Sequence, residues 1–119
     1  MEFETCTIPG YKDYVSEFLE ELHDRTDPEE TTTQKILDKL MWFGQLNKAQ
    51  MMKAQHIKHL RGDLYEVRVL VRGNQFRFLG YIEGETLYMV HAIIKKRQTT
   101  PPKAISLAQK RIKLLKHEN

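Results

Sequence analysis

Arg68 and Arg77 stand within two runs of branched and aromatic residues, 64–71 and 76–82, a short turn apart. Alternation along the first run puts Tyr65, Val67, Val69 and Val71 on one face, an almost wholly apolar set that turns towards helices. Glu66, Arg68 and Leu70 face the other way. Pairing Val71 with Phe76 across Arg72-Gly73-Asn74-Gln75 sets Leu70 opposite Arg77 and makes Arg68 its diagonal neighbour on the same face. Leu79 and Tyr81 continue that face, which is expected to be open, so two cations stand beside an aromatic ring. His91 joins this face opposite Arg77 or lies on the core side, depending on the register of the second turn. Lys95-Lys96-Arg97 follow at the exit of the third run, close to the end of the meander. Taken singly, these are ordinary features. An arginine beside Glu66 makes a surface ion pair worth ~0–1 kcal/mol, and a histidine among apolar residues is usually a hydrogen-bonded core group. Converging on one concave sheet face, they make a surface suited to a polyanion.

Other chemistries lack their residues. His56 and His59 have a spacing compatible with metal on a helix, but no Cys pair or carboxylate cluster completes a zinc set. There is no GxSxG, no GxGxxG and no phosphate-cradling glycine loop with its Lys. Cys6 has no nearby His partner to make it a nucleophile, and as the single cysteine it cannot form an internal disulfide. No cofactor is implied.

The elements that must hold these groups follow from periodicity. Residues 3–8 alternate and are rich in β-branched side chains, which suits a short strand ended by Pro9-Gly10. Tyr11, Val15, Phe18, Leu19 and Leu22 then recur at helical spacing. Asp27-Pro28-Glu29-Glu30 reads as the cap and first turn of a second helix, although the poor helix formers Thr31, Thr32 and Thr33 allow its start to slip there. Ile36, Leu37, Leu40 and Phe43 continue its apolar stripe to Gly44, and the two helices are expected to form a hairpin. Residues 47–60 are compatible with a helical turn or a packed loop. The runs 64–71, 76–82 and 87–94 are joined too closely for anything but an antiparallel meander. Thr100-Pro101-Pro102 opens a last helix, with Ile105, Ala108, Ile112 and Leu115 as its stripe. The expected fold class is α+β: a twisted, mainly antiparallel sheet, an N-terminal helical hairpin on one face and a C-terminal helix.

With 119 residues, 40% of them hydrophobic and 29% charged, one domain spanning 1–119 with a real core is expected, and disorder along the whole chain is excluded. No apolar run approaches the ~20 residues that span a bilayer, and no secretory signal opens the chain, so a soluble cytoplasmic protein is expected. The net charge of +3 conceals a division. Residues 1–55 hold 6 Lys+Arg against 11 Asp+Glu, and residues 56–119 hold 13 against 5. The first part supports; the second carries the cations.

Four stretches then fall into a familiar order. His59-Leu60-Arg61-Gly62-Asp63-Leu64-Tyr65-Glu66-Val67-Arg68-Val69, Gln75-Phe76-Arg77-Phe78, Val90-His91-Ala92-Ile93-Ile94-Lys95-Lys96-Arg97-Gln98-Thr99-Thr100-Pro101 and Ala108-Gln109-Lys110-Arg111 resemble, over residues 56–113, the phage-associated HigB-like branch of the RelE/ParE toxin superfamily. The resemblance implies a RelE-like fold and the toxin of a type II toxin–antitoxin pair, a metal-independent endoribonuclease that cuts mRNA on the ribosome. Its implied partners are the ribosome, mRNA and a small HigA-like antitoxin with a helix-turn-helix domain. By match to the motifs, Arg68 and Arg77 are the phosphate-binding pair, whose forks suit phosphate oxygens, and Lys95 or Lys96 adds a further cation. His91 is the motif residue expected to titrate near neutrality, open to acid–base work if it faces outward. Tyr81 is the expected base-stacking platform, with Arg61, Arg72, Arg97 and Lys103 as further RNA contacts. The rival reading is a non-catalytic module on the same scaffold, aimed at gyrase as in the ParE branch or binding only its antitoxin.

Overall fold

A computed structural model describes residues 1–25, 32–95 and 99–117. Its elements are β1 (Glu2–Thr5), α1 (Tyr14–Arg25), α2 (Thr32–Phe43), α3 (Lys48–Lys53), β2 (Ile57–Arg61), β3 (Leu64–Val71), β4 (Asn74–Glu83), β5 (Thr86–Lys95) and α4 (Pro102–Leu115). The class is α+β, with the sheet ordered β1-β5-β4-β3-β2. Every pairing is antiparallel except β1 with β5. No helix among the described residues is long and apolar enough to cross a membrane.

Local chemistry sets the boundaries. The first strand stops at Thr5 rather than Ile8, and α1 begins at Tyr14 rather than Tyr11, because Asp13 caps it by accepting the Ser16 N–H at 2.9 Å. The Asp27–Glu30 cap expected for the second helix lies outside the described residues. Thr33 Oγ1, in the first turn of α2, donates to the Leu19 carbonyl at 2.9 Å and ties α2 to α1. Residues 47–60, open at the level of sequence, split into α3 and β2. Asn47 and Gln50 close a reciprocal capping box over α3. Gln55, at φ 61°, then turns the chain back towards β2.

The two sheet faces are both covered. On one, Val15, Leu19, Ile36, Leu40 and Phe43 of α1 and α2 pack on Val67, Val69, Val71, Phe76, Phe78, Leu87 and Met89, as alternation requires. On the other, Ala104, Ala108 and Ile112 of α4 pack on Leu64, Leu79, Tyr81 and Val90. The small side chains at 104 and 108 let the helix lie close to the strands. The face expected to be open is therefore roofed along Leu79 and Tyr81. Within α4, Ala104 rather than Ile105 carries the fully buried stripe.

The hairpin register also differs from expectation. Val71 pairs with Asn74, not Phe76, because Arg72 (φ 53°) and Gly73 (φ 79°) form a two-residue turn at positive φ. Such primed turns match the twist of paired strands. Arg68 consequently lies directly opposite Arg77. Between β4 and β5 the register shifts at Leu79/Gly80, and His91 comes opposite Leu79. Gly80 is obligatory there: a Cβ would sit 1.9 Å from the Tyr88 carbonyl oxygen.

Candidate functional site

Two like charges opposite each other on a sheet repel, and the fold answers with Glu66. Its carboxylate is fully buried, and its Oε1 accepts from Arg68 Nε and from an Arg77 terminal N–H, each at 3.0 Å. Thr100, in the segment leading into α4, closes the far side. Its hydroxyl donates to Glu66 Oε2 and accepts from Arg77 at 3.1 Å. Gln75 Oε1 takes Arg77 Nε at 3.0 Å and its second amino group at 2.6 Å. Arg77 is therefore 2% exposed and held on three sides, which corrects its expected position on an open surface. Burial lowers its guanidinium from the usual range, and the charge of Glu66 opposes that shift. It stays charged.

Arg68 differs. Its side chain keeps 23% of its exposure and lines a cleft of about 550 Å³ beside the network, together with Lys39, Trp42, His56, Leu70 and Gln75. One arginine is thus anchored in the protein and its neighbour is presented at an opening.

His91 lies on the face of Arg77 but opposite Leu79, where Arg111 of α4 donates to its Nδ1 at 3.0 Å. Arg111 also reaches the Val90 carbonyl at 3.0 Å and stacks 3.5 Å from the centre of the Tyr14 ring. Burial first, then the Arg111 charge, pushes the imidazole down to about 4. That corrects the expectation of a group titrating near neutrality. Tyr81 is buried under α4, stacked on Tyr88 with ring centres 5.1 Å apart and with Lys116 Nζ 4.4 Å from its ring centre. It has no face to offer a base, a second correction. Arg61 ends β2, Arg72 sits in the hairpin turn and Lys103 is in the first turn of α4, all exposed. Lys95 ends β5 opposite Gln75; Lys96 and Arg97 lie outside the described residues. Cys6 is pushed up to about 11 by burial and by Asp13 and Glu4, so its thiol stays protonated. Among the described residues no three His, Cys, Asp or Glu side chains converge as metal ligands.

Sequence reasoning paired the two arginines but missed Gln75, Thr100, Trp42 and His56. Thr100 comes from 34 positions beyond Glu66, and no local pattern announces such a contact. An Asn-x-x-Gln box at 47–50 could have announced the turn that delivers His56.

Residues 19–113 match the family described as Phage derived protein Gp49-like (DUF891). No curated protein matches the chain.

Proposed function

The chain belongs to the phage-derived Gp49-like family, a family of RelE/HigB-type toxins of toxin–antitoxin systems, and on that premise we propose that it is a toxin that cleaves mRNA on the ribosome. The reading includes a RelE-like fold, with α1 and α2 as its N-terminal helical hairpin, action in the cytoplasm, and neutralisation by a small helix-turn-helix antitoxin of the HigA type. The observation that carries it is Arg68, a cation braced by a buried carboxylate and presented at a cleft, inside the matched stretch.

In such cleavage the 2′-OH of the RNA attacks the adjacent phosphate, so the protein must align the chain and stabilise the charge gathering on phosphorus-bound oxygens. Arg68 does this directly: with Nε fixed on Glu66, its remaining N–H groups are oriented without further loss of rotamer freedom. Arg77 acts through Glu66, as the buttress that holds this carboxylate in place. Exposed Arg61, Arg72 and Lys103 extend positive potential over the surface towards ribosomal RNA, and the Lys95-Lys96-Arg97 run adds three further cations by sequence. His91, held neutral by burial and by the Arg111 charge, is given no proton-transfer role.

Arg68→Ala tests the reading. Cleavage of mRNA on programmed ribosomes should fall roughly 10²–10³-fold, while the variant still pellets with ribosomes. The occupied state of Arg77 and His91 favours one rival, a module that binds without cutting. Wild-type protein that pellets with ribosomes or its antitoxin, yet leaves mRNA intact, would establish that rival instead.

A further inference from the structure

We propose that the cleft between α2 and the β3–β4 hairpin is a base-binding subsite for single-stranded RNA, with Trp42 as its stacking surface and Arg68 as its phosphate contact. This rests on the nuclease reading and supplies what Tyr81 cannot, a ring for the base beside the reacting phosphate.

Trp42 is 54% exposed although it stands next to Phe43, which ends the apolar stripe of α2. Its neighbours hold it: the Phe43 ring lies 5.6 Å away and the His56 ring 6.2 Å away at 82°. His56 is stacked on buried Phe43 at 4.5 Å and 31°, so the wall beside Trp42 is itself rigid. The position of this wall relative to the cation is set by backbone. The Arg68 N–H donates to the His56 carbonyl at 2.8 Å, extending the sheet one step past β2. The His56 N–H in turn donates to Met51 at 3.0 Å, locking the Gln55 reversal.

Composition of the opening favours a nucleotide. At about 550 Å³ it has the size of a small-molecule site. Leu70, 55% exposed, gives it an apolar side, and Lys39 and Arg68 give it cations. The carboxylate in its lining, Asp38, accepts from the Gln34 amide at 2.9 Å. An exposed indole that shares a cleft with a part-exposed guanidinium is how sequence-tolerant sites take unpaired bases and their backbone. A nucleotide fills the apolar parts and also brings a phosphate to the side of the cleft that Lys39 and Arg68 line.

Trp42 is the only tryptophan, so its emission reports the cleft directly. The full chain should be titrated with a trinucleotide whose 2′-OH groups are methylated, which binds without being cut. Saturable quenching is expected, weakened tenfold or more by Arg68→Ala, and absent with inorganic phosphate alone. Trp42→Ala should lower kcat/KM for ribosome-bound mRNA about tenfold or more, and Trp42→Phe, which keeps a ring, should restore most of it. Quenching without any mRNA cleavage would keep the subsite and overturn the nuclease. Cleavage without quenching, or with Trp42→Ala as active as wild type, would overturn the subsite and leave the nuclease standing. Emission changed by the antitoxin but not by the trinucleotide would assign the cleft to a protein partner and overturn the proposal.

Discussion

Arg77→Ala should damage the fold more than any surface charge can. The deletion removes one cation from a carboxylate that has no exposure to water, and strips Gln75 Oε1 of both its donors. Glu66 keeps Arg68 and Thr100, but one of those partners is itself partly solvated. Breaking a buried pair by removing one side costs about 3–5 kcal/mol. At this chain length that corresponds to a fall in Tm of roughly 10–20 °C. Arg68→Ala is the internal control: Arg77 and Thr100 still satisfy Glu66, so about 1 kcal/mol should be lost. Replacing both members, Arg77→Met with Glu66→Leu, should recover part of the stability, since no fully buried charge is stranded and only the part-exposed Arg68 loses its partner. Thermal and urea denaturation followed by circular dichroism read all three. An Arg77→Ala protein within about 1 kcal/mol of wild type would show that the Glu66 network is not a structural anchor.

His91 carries a pH signature. Its folded value of about 4 lies below the ~6.5 of an unfolded histidine. The unfolded chain therefore binds more protons between these values, and stability should fall as pH drops from 6.5 towards 4. Denaturation midpoints across this range should flatten in His91→Gln. Gly80→Ala should destabilise by about 3 kcal/mol or prevent folding, because the new Cβ meets main-chain atoms of Tyr88 and Met89 that cannot rotate away; a near-normal melting curve would refute the close approach. Asn47→Ala, which opens the capping box of α3, should cost ~1 kcal/mol by urea titration.

The three long strands are legible because branched residues crowd 64–71, 76–82 and 87–94, and the structure moves their ends by only a residue or two. The shared face of Glu66, Arg68 and Leu70 is legible for the same reason, a period of two. Its covering is not. Ala104 and Ala108 bury themselves by being small, and smallness gives a weak hydropathy signal beside Ile105 and Leu107, which turn out half-buried and exposed. The Arg68–Arg77 register escaped because arginine is an unusual residue at positive φ, so a four-residue connection looked more natural than the tight Arg72-Gly73 turn. The burial of Arg77 escaped because Thr100 is remote in sequence. Trp42 is not legible because a tryptophan next to a helix stripe reads as core, and the His56 ring beside it is placed by the Gln55 reversal that precedes β2.

The parallel pairing of β1 with β5 bears on the order in which the molecule can assemble. Residues 2–5 wait for residues 86–89, so this strand is made well before the partner it needs, a long-range contact imposed by one edge strand. The ionic centre is later still. A nascent chain that has emerged only through β5 holds Glu66, Arg68 and Arg77 but lacks Thr100 and the whole of α4. Completion of the ionic centre is thereby deferred until the segment that leads into α4 has followed the whole sheet out of the exit tunnel.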